Sequence, residues 1–163
     1  AETYAPEALR GVETALAGAQ QEIETQNERF AIMRDYEEAE KMLTSVQEMA
    51  TKAREEAIAK KEEARLEAEA GYQAATEAAA AATAALDEAP RGKGTRADIA
   101  ALNAALEVIQ AEIVELASQI EAEEYFAAQD KADTLIASAE AISEEIQIAV
   151  ETQARILSKR QNR

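Results

Sequence analysis

A chain of 163 residues with no Cys, no His and a formal charge of −16 excludes several kinds of chemistry at the outset. Zinc sites of the Cys/His kind, thiol nucleophiles and imidazole bases have no side chains to build them. The excess of 33 acidic over 17 basic residues argues against nucleic acid, which is held by neutralising phosphates, and against an anionic membrane surface.

About a quarter of the residues are Ala, and Glu outnumbers Asp by 28 to 5. These are strong helix formers, and no run alternates β-branched with polar residues. The chain therefore reads as all-α. Its core is expected to be thin, with no Trp, two Phe and four Tyr. A buried CH₂ is worth about 0.8 kcal/mol, so an Ala core gains little per residue and favours slender, closely approaching helices. That in turn favours extra burial against another chain. No apolar run approaches the roughly 20 residues of a bilayer span.

In chain order, Pro6 suits a first helical turn. Leu9, Val12, Leu16, Ala19, Ile23, Phe30 and Met33 follow at a spacing of three and four, interrupted by Gln26. That stripe predicts a first helix over about 6–33. Asp35 is a fair N-cap, with Glu37 and Glu38 behind it, so a tight hairpin is expected near Arg34. A second helix should run from about 36 to 88, roughly 80 Å long, with Gly71 as a possible kink. Its stripe begins with Tyr36, Ala39, Leu43 and Val46 and turns small from Ala64 through Gly71, Ala74, Ala78 and Ala81 to Ala85. Glu37–Lys41, Glu48–Lys52 and Glu56–Lys60 stand in the favourable order for i,i+4 pairs.

Pro90 ends this helix, and Thr95 with Asp98 resembles a capping box. A third helix is expected over about 96–127 on Ile99, Leu102, Leu106, Ile109, Ile113, Leu116 and Ile120. A turn near Gln129–Asp130 then leads to a fourth over about 130–160. The fourth carries Leu135, Ala139, Ile142, Ile146, Ala149 and Ile156, widened by Ile136, Val150 and Leu157, as if to face two neighbours. A shift of 93 residues aligns the halves without a gap: Leu16 meets Ile109, Ile23 meets Leu116, Gln26 meets Gln119 and Ala39 meets Ala132. The expected architecture is two antiparallel helical hairpins, about 6–88 and 96–160, joined by a loop at 89–95. They would form a single elongated helical domain with coiled-coil-like packing and a possible internal duplication.

Candidate sites are few. The GKGT of residues 92–95 lacks the G-x-x-x-x-G-K-[ST] spacing and the preceding strand of a phosphate-binding loop, and reads as an interhelix connection. Paired carboxylates such as Glu123–Glu124 and Glu144–Glu145 come without an oxygen cage and without the Glu-x-x-His pairs of di-iron bundles. They read as a solvated acidic face. No catalytic, cofactor-binding or metal-binding residue is assigned, and no enzyme activity is expected. Phe30, Tyr36, Tyr125 and Phe126 fall at the two expected hairpin tips, where they either plug the bundle ends or anchor a partner. Ala74, Ala78, Ala81 and Ala85 pose the same choice: helices three and four cover them, or another subunit does. Residues 98–151 carry one basic side chain, Lys131, against 13 acidic ones.

The segments "YAPEAL", "RDYEEAEKML" and "APRGKGTRADI", and a second half of the form "A…KA..LI..A..I..EI..A", resemble a group of Ala/Glu-rich helical envelope lipoproteins of bacteria, themselves of unknown function. The resemblance implies an exported protein of the periplasm or cell surface, without a known enzyme activity. An initial Ala1 is compatible with export-signal cleavage, Met removal or trimming. One departure is the missing lipid-bearing Cys, which implies either that it lies outside this numbering or that this member is released rather than anchored. The expected role is structural or scaffolding, through helix packing and self-association into a dimer or filament, with itself or another envelope protein as partner. The rival is an acidic module that binds a basic protein or, weakly, a divalent cation.

Overall fold

The computed structural model describes residues 1–89 and 96–161. The GKGT loop, Pro90 and the Thr95 cap lie outside the described residues, as do the side chains of Asp98, Ile156 and Leu157. The protein is all-α. Its helices are α1 (Pro6–Glu28), α2 (Glu37–Glu88), α3 (Arg96–Glu121) and α4 (Tyr125–Gln161), with a 3-10 turn at Ala31–Met33 between α1 and α2. No strand occurs among the described residues. The chain divides into two compact units, Ala1–Glu63 and Ala64–Arg163. The helix α2 is continuous through their boundary, so each unit takes one half of it.

The first unit is a two-helix hairpin. Gly11 faces Met49 and Gly18 faces Met42. As the position on α1 rises, its opposite position on α2 falls, which makes the pair antiparallel. The turn near Arg34 is therefore real, but α1 stops at Glu28 rather than running to 33. Arg29 is already extended, and its N–H donates to the Gln26 carbonyl at 3.2 Å. The apolar rhythm of Phe30 and Met33 continues past the helix into the turn, where it no longer reports a helix face. The fully buried side chains of this unit are Ala5, Ala19, Ala39, Ala53 and Ala57 with the polar Gln26, while Met42 and Met49 reach across to Gly18 and Gly11.

The second unit packs three helices. Gln129 Nε2 donates to the Ala64 carbonyl at 3.0 Å and to Glu67 Oε2 at 3.1 Å. Gly71 meets Ala132, and Ala85 lines a cleft with Ile146 and Val150. Rising numbers on α2 thus meet rising numbers on α4, a parallel pair. The helix α3 packs on α4 and returns between them in the opposite sense. Its Ile113 shares a small cleft with Thr76 and Ala79 of α2. The core is larger than that of the hairpin: Leu86, Leu106, Ile109, Ile113, Leu116, Leu135, Ile142 and Ile146 are buried against Ala64, Ala68, Ala75, Ala79 and Ala82.

Two expectations need correction here. The buried stripe of α2 runs Ala64, Ala68, Ala75, Ala79, Ala82 and Leu86, out of phase with the one expected after Gly71. The helix α2 runs through Gly71, whose missing Cβ lets α4 approach, because a Cβ there would lie 2.9 Å from that of Ala132. Finally, α3 ends at Glu121 and α4 starts at Tyr125, so the turn falls before Gln129–Asp130. Glu124 N–H donates to Gln119 O at 2.9 Å and Glu123 N–H to Ile120 O at 3.0 Å, with Glu123 at φ 62°. This is a Schellman stop, normally signalled by Gly at the left-handed position. Glu in that place left no mark in the sequence.

Candidate functional site

The hairpin tip of the first unit, residues 29–36, is held by a small polar lattice. Gln26, 4% exposed, donates from Nε2 to Glu22 Oε1 at 2.7 Å. Its Oε1 accepts from the Asp35 backbone N–H at 3.0 Å and from Arg29 Nη1 at 3.2 Å. Arg34 donates to the carbonyls of Asn27 and Arg29 at 2.9 and 3.2 Å, satisfying acceptors that the end of α1 leaves open. Tyr36, half-buried, donates its hydroxyl to Asn27 Oδ1 at 2.7 Å. Asp35 Oδ1 accepts from Glu37 N–H at 3.0 Å, an Asx turn that launches α2.

The polar groups of the loop bond to one another and to the end of α1, and its apolar side chains are left exposed. Phe30 is 82% exposed, Ile32 95% and Met33 65%. Single exposed apolar residues are ordinary on a protein surface. Three within four positions, on a braced turn, form a patch. Phe30, expected either to plug the bundle end or to anchor a partner, is exposed together with Ile32 and Met33. Ile32 was missed because its position breaks the helical spacing, and Met33 because it was counted into a helix stripe.

The other tip is built differently. Tyr125, 5% exposed, opens α4 and sits in the core of the second unit, while Phe126 beside it is about half exposed. Of the four Ala residues singled out on α2, Ala74 and Ala81 are exposed and Ala78 and Ala85 are partly covered.

A cleft of about 450 Å³ opens beside the N-terminal segment, α1 and α2 in the first unit. It exists because small side chains on α2, Ala50, Ala53 and Ala57, face Leu9 and Val12 across the hairpin. Ile58, Arg54 and Lys61 also line it, and no carboxylate does. The hollow is largely apolar. Nearby, on the exposed face of α2, Glu56 accepts from Lys60 at 2.7 Å. That hydrogen bond first, and the carboxylate charge second, hold the ammonium pKa above its ordinary value.

Among the described residues no group of three or more Asp or Glu side chains is arranged to hold a metal ion, and no helix is long and apolar enough to cross a membrane. Lys131 is half-buried on α4 and pairs with Glu115 of α3. No protein family, curated protein or solved structure was found to match this chain.

Proposed function

We propose that this protein is a non-enzymatic structural or scaffolding element that works by helix packing and self-association. One observation carries the reading. The two-helix unit buries no large apolar side chain, yet leaves Leu16, Phe30, Ile32, Met33, Leu43 and Ile58 exposed. A two-helix layer cannot bury both faces of its apolar stripes; a further layer supplies the missing burial. The three-helix unit differs in that its Leu and Ile side chains close on one another, although Leu66, Val108, Val114, Phe126, Ile148 and Val150 stay exposed there. Electron microscopy across a concentration series tests this: ordered oligomers or filaments are expected, and a field of single particles at every concentration contradicts it.

The resemblance carried by "YAPEAL", "RDYEEAEKML" and "APRGKGTRADI" supports an exported location at the bacterial periplasm or surface, which cell fractionation checks. A second reading, an acidic adaptor for a basic partner, is favoured by residues 98–151, whose one basic side chain, Lys131, is itself drawn to Glu115. Its signature is binding that weakens steeply with salt.

A further inference from the structure

We propose that Met42 and Met49 are sites of reversible sulfoxide formation by peroxide, and that their oxidation loosens the α1–α2 hairpin while leaving the three-helix unit packed. This does not depend on the self-association reading. With no Cys, the chain carries sulfur only at Met33, Met42 and Met49, and all three lie in the first unit. Met42 and Met49 stand two turns apart on α2, and each lays its methyl over a helical glycine of α1. A Cβ at Gly18 would lie 3.3 Å from Met42 Cε, and one at Gly11 3.5 Å from Met49 Cε. Two flexible thioethers thus fill the groove that two missing Cβ atoms leave between the helices.

The second hairpin makes the related contact without sulfur. The shift of 93 residues carries Met42 to Leu135, Met49 to Ile142, Gly18 to Ala111 and Gly11 to Ala104. Leu135 and Ile142 are buried and do not react with peroxide. Met42 and Met49 are only half-buried, which leaves an edge of each open to a small solvent-borne oxidant. An oxidisable helix contact is therefore confined to one of two related hairpins.

The chemistry balances with hydrogen peroxide alone. A sulfur lone pair attacks one peroxide oxygen, and the S–O bond forms as the O–O bond breaks. Sulfur loses two electrons; the other oxygen leaves as hydroxide and takes the proton of the transferred oxygen, giving water. The product is polar where the thioether was apolar. The side chains buried along this contact include Ala19, Ala39, Ala53 and Ala57, which donate no hydrogen bond to the new oxygen. The sulfoxide must turn out to water, and the groove over Gly11 and Gly18 loses its filling. Met33 supplies an internal control, because it is 65% exposed in the turn and its oxidation removes no contact between the helices.

The test treats the full chain with dilute hydrogen peroxide, locates each added oxygen by peptide mass spectrometry and follows amide hydrogen exchange. With Met42 and Met49 oxidised, exchange over residues 6–28 and 37–63 should speed up by about tenfold, the scale of one poorly satisfied polar group in a packed contact. Exchange over residues 64–88 and 125–145 should not change. Methionine sulfoxide reductase with a thiol should restore the original protection. A Met42→Leu, Met49→Leu variant keeps side-chain volume and should be unaffected by peroxide even with Met33 fully oxidised. The proposal is overturned if both methionines stay unmodified while Met33 is oxidised, or if their oxidation leaves exchange unchanged. Loss of protection that the reductase does not reverse, or that the Leu variant shows equally, also overturns it.

Discussion

Gly71 and Gly11 are both helical glycines turned toward a neighbouring helix, and the space in front of each sets opposite expectations. Replacing a mid-helix Gly by Ala gains about 0.5–1 kcal/mol where the backbone permits it. At Gly11 the new Cβ would meet the flexible Met49 Cε at 3.5 Å, an ordinary contact, so Gly11→Ala should stabilise by about that amount. At Gly71 it would meet the Ala132 Cβ at 2.9 Å; overpacking of this kind costs about 1–3 kcal/mol, and Gly71→Ala should be net destabilising in urea titration.

The two glutamines related by the 93-residue shift behave differently for a similar reason. Gln26→Leu leaves the Asp35 N–H without its acceptor and should cost about 1–3 kcal/mol. The Gln119 Oε1 is buried without a hydrogen-bond partner. Gln119→Leu removes that liability and should be neutral or stabilising in the same assay.

Lys60 gives a pH expectation. Its folded pKa is raised, so the stabilisation it brings is complete below the ordinary value of 10.5 and is lost as pH climbs through the raised one. Thermal melts of wild type and Lys60→Gln should differ by a constant amount at neutral pH and converge only in strong alkali.

Among the elements, α2 offers an internal comparison. Its first half packs on one helix, where Ala and Gln26 alone are fully buried, and its second half packs on two helices over Leu and Ile. Local opening tracks buried apolar contact. Amide hydrogen exchange should therefore be faster over residues 37–63 than over 64–88 of the same helix, and equal protection along both halves would contradict the packing described here.

The long helices were legible because their stripes are periodic and their residues are good helix formers. The start of α2 was legible from Asp35 and the acidic residues behind it. The ends of α1 and α3 were not. Phe30 and Met33 kept a helical rhythm inside a turn, and Glu123 took a left-handed conformation that sequence rules reserve for Gly or Asn. The phase of the Ala stripe in α2 was lost because Ala stands on several faces there, so that its position alone does not distinguish inside from outside. The tip patch was only partly visible: Phe30 stood out as an aromatic, whereas the exposure of Ile32 depends on a turn the periodicity hid.

For the whole molecule, the charge of −16 sets a repulsion between copies that any self-association must overcome. Moderate salt screens that repulsion over roughly 8–10 Å, whereas an apolar contact is not weakened by screening. Assembly should thus be maintained or enhanced between low and physiological salt, while capture of a basic partner through residues 98–151 should fall over the same range. Sedimentation velocity over a broad concentration series at physiological salt tests the central claim most directly. The account predicts a weight-average mass that rises with concentration as the exposed apolar residues of the first unit find cover. A single boundary at the monomer mass of 17.6 kDa across the whole series would contradict it.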